Sequence, residues 1–562
     1  MKVALIQCPA WITGNPPCAL ALIGAALKNA GHEVRCFDLN VDFYHLAENQ
    51  PEPGISISMQ SWSNYHIETD WENEDYVREF ISFYKKEIEE RIYAVIQSEP
   101  EAICFSVQKT SALFSYAFTK RIREILPGII IIWGGPYCFR SFMAEDIINN
   151  HGEVDMVCLG DGESSLPELL HLYEKKDKQY LNTKGYAFRI PGSTPVFNDD
   201  QSVFSDLDTL PFSDYSLFDK EKYSWEFLPV IVSRGCINRC AFCNEYVNWD
   251  KYSFRSPGKV IDEIAFQSEL HPEIRYFWLT GSTISGHIKK LEEMCDLILK
   301  KNIRVNWHSQ LSFRKELSSD LLKKMGKSGC EYLHFGLESG NNHVLKRMNK
   351  SFDRGLALRI LKSTKKAGIN YNLNLIVGFP GENNLRFIDT LLFVRHFLNT
   401  STASSVADCH IIRNSILYKE HKNYHVINPD SADWKTENGT NTLTLRMKRV
   451  KYANQLYKLR MLNPYGYHFR NFNIFDRELV NLYKNKELTL PVKIRKMIVR
   501  FYVINDRSIP KFIRRGGTIV FRKLYLYSGL SYLFFYIWLI YIFIVLEISM
   551  LIYAHDDHVA YT

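Results

Sequence analysis

The chain has 562 residues, 46% hydrophobic and 23% charged, with a formal net charge of +7. That length requires two or three domains, and the balance is that of a folded chain, which excludes a disordered or low-complexity protein. The charge is modest and no dense Lys/Arg stripe carries interleaved aromatics, so no nucleic-acid partner is expected. Twelve cysteines in so long a chain do not describe a secreted disulfide scaffold.

The opening stretch Met1-Lys2-Val3-Ala4-Leu5-Ile6 reads directly as a strand, with no signal peptide before it, so a reducing, cytoplasmic compartment is expected. Strands are predicted at 3–7, 33–38, 102–107, 129–133 and 156–159, with helices at 17–30 and 76–98 and an irregular insertion over 50–75. This alternation argues for a parallel, doubly wound sheet over residues 1–171, whose ligands sit at the carboxyl ends of the strands. The loops there are Ser106 to Thr110, Gly134-Gly135-Pro136 and Gly160-Asp161-Gly162-Glu163. They are either tight strand-to-helix turns or places where backbone approaches a ligand closely. Residues 172–225 read as a linker, with Leu210-Pro211-Phe212-Ser213-Asp214 as a surface loop at its centre.

From 226 to 415 the pattern becomes six strand–helix units, with strands at 228–233, 275–280, 303–309, 331–337, 371–377 and 405–412. Units of this size suit a partial (β/α)6 barrel, whose functional groups lie at the C-terminal strand ends. The first strand runs into Cys236, Cys240 and Cys243. Three thiolates in one loop are one short of closing a four-iron cubane, and the remaining iron would be open to a small ligand. A structural zinc site is the competing reading, but it needs a fourth ligand, and no His or Cys follows Cys243 within a dozen residues.

The Cys-x-x-x-Cys-x-x-Cys spacing, with Phe242 before the last cysteine, resembles the signature of radical S-adenosylmethionine (radical SAM) enzymes. Pro16-Pro17, Ala30-Gly31-His32-Glu33-Val34, Trp133-Gly134-Gly135-Pro136 and Gly160-Asp161-Gly162-Glu163 resemble the cobalamin-binding domain preceding the catalytic domain in many of them. The resemblance implies a [4Fe–4S] cluster on Cys236, Cys240 and Cys243, S-adenosylmethionine on its open iron, and cleavage to a 5′-deoxyadenosyl radical. It also implies cobalamin over Ser106, Gly134, Gly135, Gly160, Gly162 and Glu163, and a low-potential donor such as flavodoxin or ferredoxin. Phe242, Thr280 and Gly281 would line the S-adenosylmethionine site, with Glu338 and Ser339 at the ribose. The backbone of Ile376 and Val377, before the turn at Gly378, would meet the adenine.

This sequence departs from the family in four places, one of them Leu311, which stands just after the third strand where close relatives tend to carry an arginine. The Asp-x-His-x-x-Gly motif that supplies an axial histidine elsewhere is absent. Leu279-Thr280-Gly281-Ser282-Thr283 occupies the place of the Gly-Gly-Glu motif without its glutamate, so this loop faces either the cofactor or the substrate, and Asn374 stands at the first glycine of the adenine motif. His308 reads either as a proton donor or substrate contact or as a satisfied polar group, and Glu382 as the cap of the next helix. Glu338 is either the ribose contact or a helix cap.

Residues 416–515 read as a helical region whose Arg446, Lys448, Arg449, Lys451, Lys458 and Arg460 form a solvated face. Residues 524–546 carry no charge and follow Arg514, Arg515, Arg522 and Lys523, so residues 516–562 are expected to touch or cross a membrane from the cytoplasmic side. A small-molecule or lipid-linked substrate is expected with them. The expected activity is methyl transfer to an unactivated carbon. The alternatives are radical oxidation, cyclisation or carbon–carbon coupling without cobalamin, and a membrane-tethered iron–sulfur electron carrier.

Overall fold

The first sheet is organised by strands whose successive side chains enter different cores. Val3 and Leu5 pack in one, Ala4 and Ile6 in the other. A strand buried on both faces is the mark of a sheet covered by helices on both sides. The computed structural model describes residues 1–48, 59–62, 67–138, 142–198, 206–249, 251–395, 397, 401–403 and 405–461. Strands β1 (Lys2–Gln7), β2 (Glu33–Asp38), β3 (Ala102–Ser106), β4 (Ile130–Gly134) and β5 (Met156–Cys158) are parallel, in the order β2-β1-β3-β4-β5. The helical stretch expected at 76–98 is two helices, Glu74–Phe83 and Lys85–Gln97. They part at the buried Tyr84, whose φ of −93° and ψ of 25° leave the helical range.

The stretch read as a linker is integral to the fold, which corrects that expectation. β6 (Tyr186–Phe188) and β7 (Val196–Asn198) extend the first sheet antiparallel beyond β5. Each is three residues long, too short for a periodicity to show. Ser213 is buried: its N–H donates to Glu263 and its carbonyl accepts from Gln267. Leu210-Pro211-Phe212-Ser213 is thus bolted to the helix Pro257–Leu270 and is not a surface loop.

The second sheet is parallel and runs β8 (Leu228–Ile231), β11 (Tyr276–Thr280), β12 (Asn306–Leu311), β13 (Cys330–Glu338), β14 (Asn370–Val377), then β15 (Ser401–Ala403), with β16 (Val406–Asp408) also pairing β14. Between β8 and β11 lies a two-stranded antiparallel pair, β9 (Ser233–Arg234) and β10 (Ser253–Phe254). Among the described residues no pairing closes β8 onto the far edge, so the barrel is partial. Leu333, Phe335 and Leu337 alternate with Tyr332, His334 and Gly336, the first set buried against helices and the second half-buried on the other face. The third barrel strand begins at Asn306, three residues later than expected, because the preceding helix finishes through Asn302 (φ 52°) and an Ile303 N–H bond to Ile298.

The helix Leu443–Met461 overturns the solvated basic face in part. Arg446 is fully buried, its guanidinium 4.0 Å from the Trp434 ring centroid and 3.2 Å from Asp408. Arg449 is buried beside Glu382 and Asn441. The tail expected to meet a membrane lies outside the described residues. Among the described residues no helix is long and apolar enough to cross a membrane.

Candidate active site

The cysteine loop is the excursion between β9 and β10, at the carboxyl end of the barrel. Cys240 is buried, and Cys236 and Cys243 are half-buried. The Asn238 N–H points at Cys236 Sγ and the Glu245 N–H at Cys243 Sγ, each at 3.4 Å. The charge of Lys350 lies close enough to Cys240 to oppose the effect of burial on its thiol. Burial raises all three thiols, Cys243 to about 12. Donors aimed at the sulfurs are the second-shell chemistry that thiolate ligands of an iron–sulfur cluster use, so these residues fit such a group. Among the described residues no three or more His, Cys, Asp or Glu side chains are gathered to hold a single metal ion.

Glu338 stands at the end of β13 with a φ of 63°, beside a register break between Gly336 and Glu338. A bulge of this kind re-aims the terminal side chain, and a non-glycine residue in this conformation is strained in the way functional positions often are. Asn341 caps the following helix, Asn342–Arg347, so Glu338 is not its cap. Instead the Glu338 carboxylate pairs with Lys350 at 3.1 Å, both side chains about nine-tenths buried. A Cβ at Gly336 would lie 2.7 Å from Glu338 Oε1, so glycine there makes room for the carboxylate. Ser339 is fully buried, shares its hydroxyl with Thr390 at 2.9 Å and accepts from the Asn341 N–H. It braces the loop and does not line the site.

Phe242 lies under the ammonium of Lys350, 5.2 Å from Nζ to the ring centroid. The Thr280 hydroxyl donates to the Val230 carbonyl, and Gly281 lies against Ser233 at the start of the cysteine loop. Ser282, in the loop after β11, hydrogen-bonds the Glu245 carboxylate. A carboxylate therefore reaches this position from the cysteine loop. In β14 the Val377 carbonyl is taken by the Cys409 N–H, while Ile376 stays half-exposed on the opposite face. Glu382 accepts from the Gly378 N–H and lies 3.7 Å from Arg449, whereas the next helix takes its side-chain cap from Asn383. The expectation that Glu382 caps that helix is corrected: burial raises its carboxyl to about 7, and it tightens the turn after β14 instead. His308 is stacked on Trp278, ring centroids 5.6 Å apart at 20°. Burial lowers its pKa to about 3, so the ring is neutral.

The six loop residues of the first sheet come together. Ser106, Gly134, Gly135, Gly160, Gly162 and Glu163 line one cavity of about 360 Å³ at the carboxyl ends of β1, β3, β4 and β5. Gly135 (φ 96°) packs so closely on Val107 that a Cβ would lie 2.8 Å from its backbone nitrogen and oxygen. The far wall is Arg234, Glu245 and Trp249, from either side of the cysteine loop. Arg234 lies 2.8 Å from Asp161 and also hydrogen-bonds Glu163, all three side chains about nine-tenths buried. Asp161 Oδ2 is buried without an aligned hydrogen bond, and burial holds its carboxyl well above the ordinary carboxylate range. A cradle of close backbone at Gly135, walled by the Asp161–Arg234–Glu163 group, fits a large ligand edged with polar groups, as a corrinoid is. Asp161, Arg234, Glu245 and Lys350 were not singled out from sequence as site residues. Asp161 lies inside the Gly160–Glu163 motif, and Arg234 and Glu245 flank the cysteine loop, but nothing in these patterns assigns any of the four a role.

Comparison with known proteins follows the same division. Residues 230–394 match the radical SAM superfamily and residues 72–170 the B12-binding domain. An uncharacterized methyltransferase of Pyrococcus horikoshii is 25% identical over 294 residues, 51% of this chain and 62% of the relative. An anaerobic magnesium-protoporphyrin IX monomethyl ester cyclase of Rubrivivax gelatinosus is 26% identical over 284 residues, 49% of this chain and 50% of the relative. The matches thus span from about half to 62% of those relatives' own length. The cobalamin-dependent S-adenosylmethionine radical enzyme OxsB, solved with aqua-cobalamin, superposes with a TM-score of 0.62 at 14% identity, over 93% of this chain and 75% of that one. The radical S-adenosylmethionine methyltransferase TsrM of Kitasatospora setae, with cobalamin and a [4Fe–4S] cluster, gives a TM-score of 0.51 at 16% identity, over 74% and 76%. At these identities the two structures show the shared fold.

Proposed function

We propose that this chain, a radical SAM protein with a B12-binding domain, transfers a methyl group to an unactivated carbon of a small molecule. Its cofactors are a [4Fe–4S] cluster, S-adenosylmethionine and cobalamin, and enzymes of this superfamily generally need a reductant such as flavodoxin or ferredoxin. One observation carries the reading: the cavity of the first sheet is walled by Arg234, Glu245 and Trp249, which flank the cysteine loop. A methyl carrier in that cavity and a radical source at the loop would share one reaction space. When bound, the cofactors would supply a 5′-deoxyadenosyl radical and a transferable methyl group. Cys236, Cys240 and Cys243 would hold the cluster, Glu338 would accept from the ribose hydroxyls, and the strand end at Ile376 would meet the adenine. The buried seam would keep water from the reacting centre. We assign residues 1–171, with β6 and β7 that extend their sheet, to the B12-binding unit, 226–415 to the barrel and 416–515 to a further C-terminal region.

The test is anaerobic reconstitution followed by assay of S-adenosylmethionine products. The wild-type chain should hold four irons, bind cobalamin with the absorbance of a corrinoid, and release 5′-deoxyadenosine together with S-adenosylhomocysteine. Cys236→Ala should abolish both products. 5′-Deoxyadenosine without bound cobalamin would favour oxidation, cyclisation or coupling, a reading supported by the cyclase among the relatives. An intact cluster that never cleaves S-adenosylmethionine would favour the electron carrier. Removing residues 516–562 and comparing membrane fractionation tests the proposed contact of the tail and a lipid-linked substrate.

A further inference from the structure

Lys350 is a buried cation with more partners than an ordinary ion pair requires. Its side chain is 9% exposed, and its Nζ lies 3.1 Å from Glu338 Oε1 and 3.2 Å from the Gly336 carbonyl. It sits over the rings of Phe242 and Phe352, at 5.2 and 5.8 Å from their centroids, and its neighbours Met348, Asn349 and Ser351 hydrogen-bond Ala241, Arg239 and Asn238 of the cysteine loop. Glycine at 336 keeps the place open, since a Cβ there would crowd Glu338 Oε1 and approach Lys350 Nζ to 3.6 Å.

Resting on the function proposed above, we infer that Lys350 is the counter-cation that sets the reduction potential of the cluster, and that Glu338 masks its charge until the nucleotide binds. A four-iron cluster on three thiolates is anionic, and reduction adds a further negative charge. A cation held against it in a dry, low-dielectric pocket makes that electron less costly to add. While Glu338 pairs with Lys350, much of this effect is cancelled. When Glu338 turns its oxygens to ribose hydroxyls, the ammonium is left facing the sulfurs. Lys350 is therefore a tuning residue and Glu338 its switch, which gives one carboxylate two linked tasks.

The experiment is an EPR-monitored potentiometric titration of the reconstituted full-length protein without S-adenosylmethionine. Lys350→Gln should lower the midpoint potential by at least tenfold in the reduction equilibrium, about 59 mV for a one-electron couple. Lys350→Arg should restore most of it. Glu338→Gln should move the potential the opposite way, because it removes the mask and keeps the cation. General damage to the loop would not give shifts of opposite sign. An unchanged potential in Lys350→Gln, or a shift of the same sign in both variants, overturns the inference. If Lys350→Gln assembles no cluster, Glu338→Gln and Lys350→Arg decide, and an unchanged potential in Glu338→Gln overturns it. A wild-type chain that assembles no four-iron cluster would instead overturn the function on which it rests.

Discussion

At the scale of single residues, the legible part of the site was the part with fixed covalent spacing. Cys236, Cys240 and Cys243 declare themselves because one loop must present three thiolates, and Glu338 stands out because it ends a strand in a recognisable motif. Lys350 did not, because its importance comes from burial against Glu338 and Phe242, which no local pattern encodes. Arg446 and Arg449 depart from the expected solvated face for the same reason, since helical spacing of basic residues is the same whether the face meets water or the half-buried Asp408 and the buried Glu382. His308 gives a residue-scale prediction. Its ring is neutral in the fold down to about pH 3, whereas an unfolded histidine takes up a proton near pH 6.5. Between these values the unfolded state binds the extra proton, so stability should fall as pH drops through that window, by at most about 1.4 kcal/mol per pH unit. His308→Phe should flatten this limb of the denaturation midpoint against pH. An identical pH profile in the variant would show that the histidine is protonated in the folded chain.

At the scale of elements, the strand–helix alternation was readable because parallel strands are long apolar runs and the helices between them are amphipathic. What escaped was short or irregular. β6 and β7 are three residues each, and the chain after them looked like a surface loop because Pro, Asp and Ser usually mark one. In the fold this segment is fastened by a fully buried pair, Arg255 and Glu263. Glu263 also accepts from the Ser213 N–H at 3.0 Å, and the Arg255 guanidinium reaches the Leu210 carbonyl at 3.4 Å. Breaking one half of such a pair leaves an uncompensated charge in the interior. Glu263→Gln should therefore cost about 3–5 kcal/mol, read as a shift in the chemical denaturation midpoint. Replacing both Arg255 and Glu263 by methionine should cost less than the single substitution, because no charge is then stranded. A single substitution no worse than a surface one would mean that water reaches the pair.

At the scale of the whole molecule, the two sheets share a core. Val3, Leu5 and Leu170 of the first belong to the same buried cluster as Leu228, Phe277 and Leu333 of the second, joined through Tyr215, Phe218 and Tyr223. The sequence showed two domain-sized patterns but not this continuity, which arises where side chains far apart in the chain meet. Residues 1–464 form one compact unit, so their unfolding should be a single cooperative transition. The polar counterpart of this seam is the contact of Arg234 with Asp161 and Glu163 beside the cavity. Arg234→Gln would leave two buried carboxylates facing each other without a cation, in the wall that a corrinoid would touch. Two effects should follow and can be separated. The melting temperature of the ligand-free chain should fall while the transition stays single, because the shared apolar core still joins the sheets. The rise in melting temperature on adding cobalamin should also shrink, because stabilisation by a ligand follows its affinity for the folded state. Adding Asp161→Asn should recover part of the first loss by removing the surplus charge. It should not recover the second, since the guanidinium that shapes the wall is still missing. An undiminished cobalamin-dependent rise in Arg234→Gln would show that the seam holds the domains together without forming the corrinoid site.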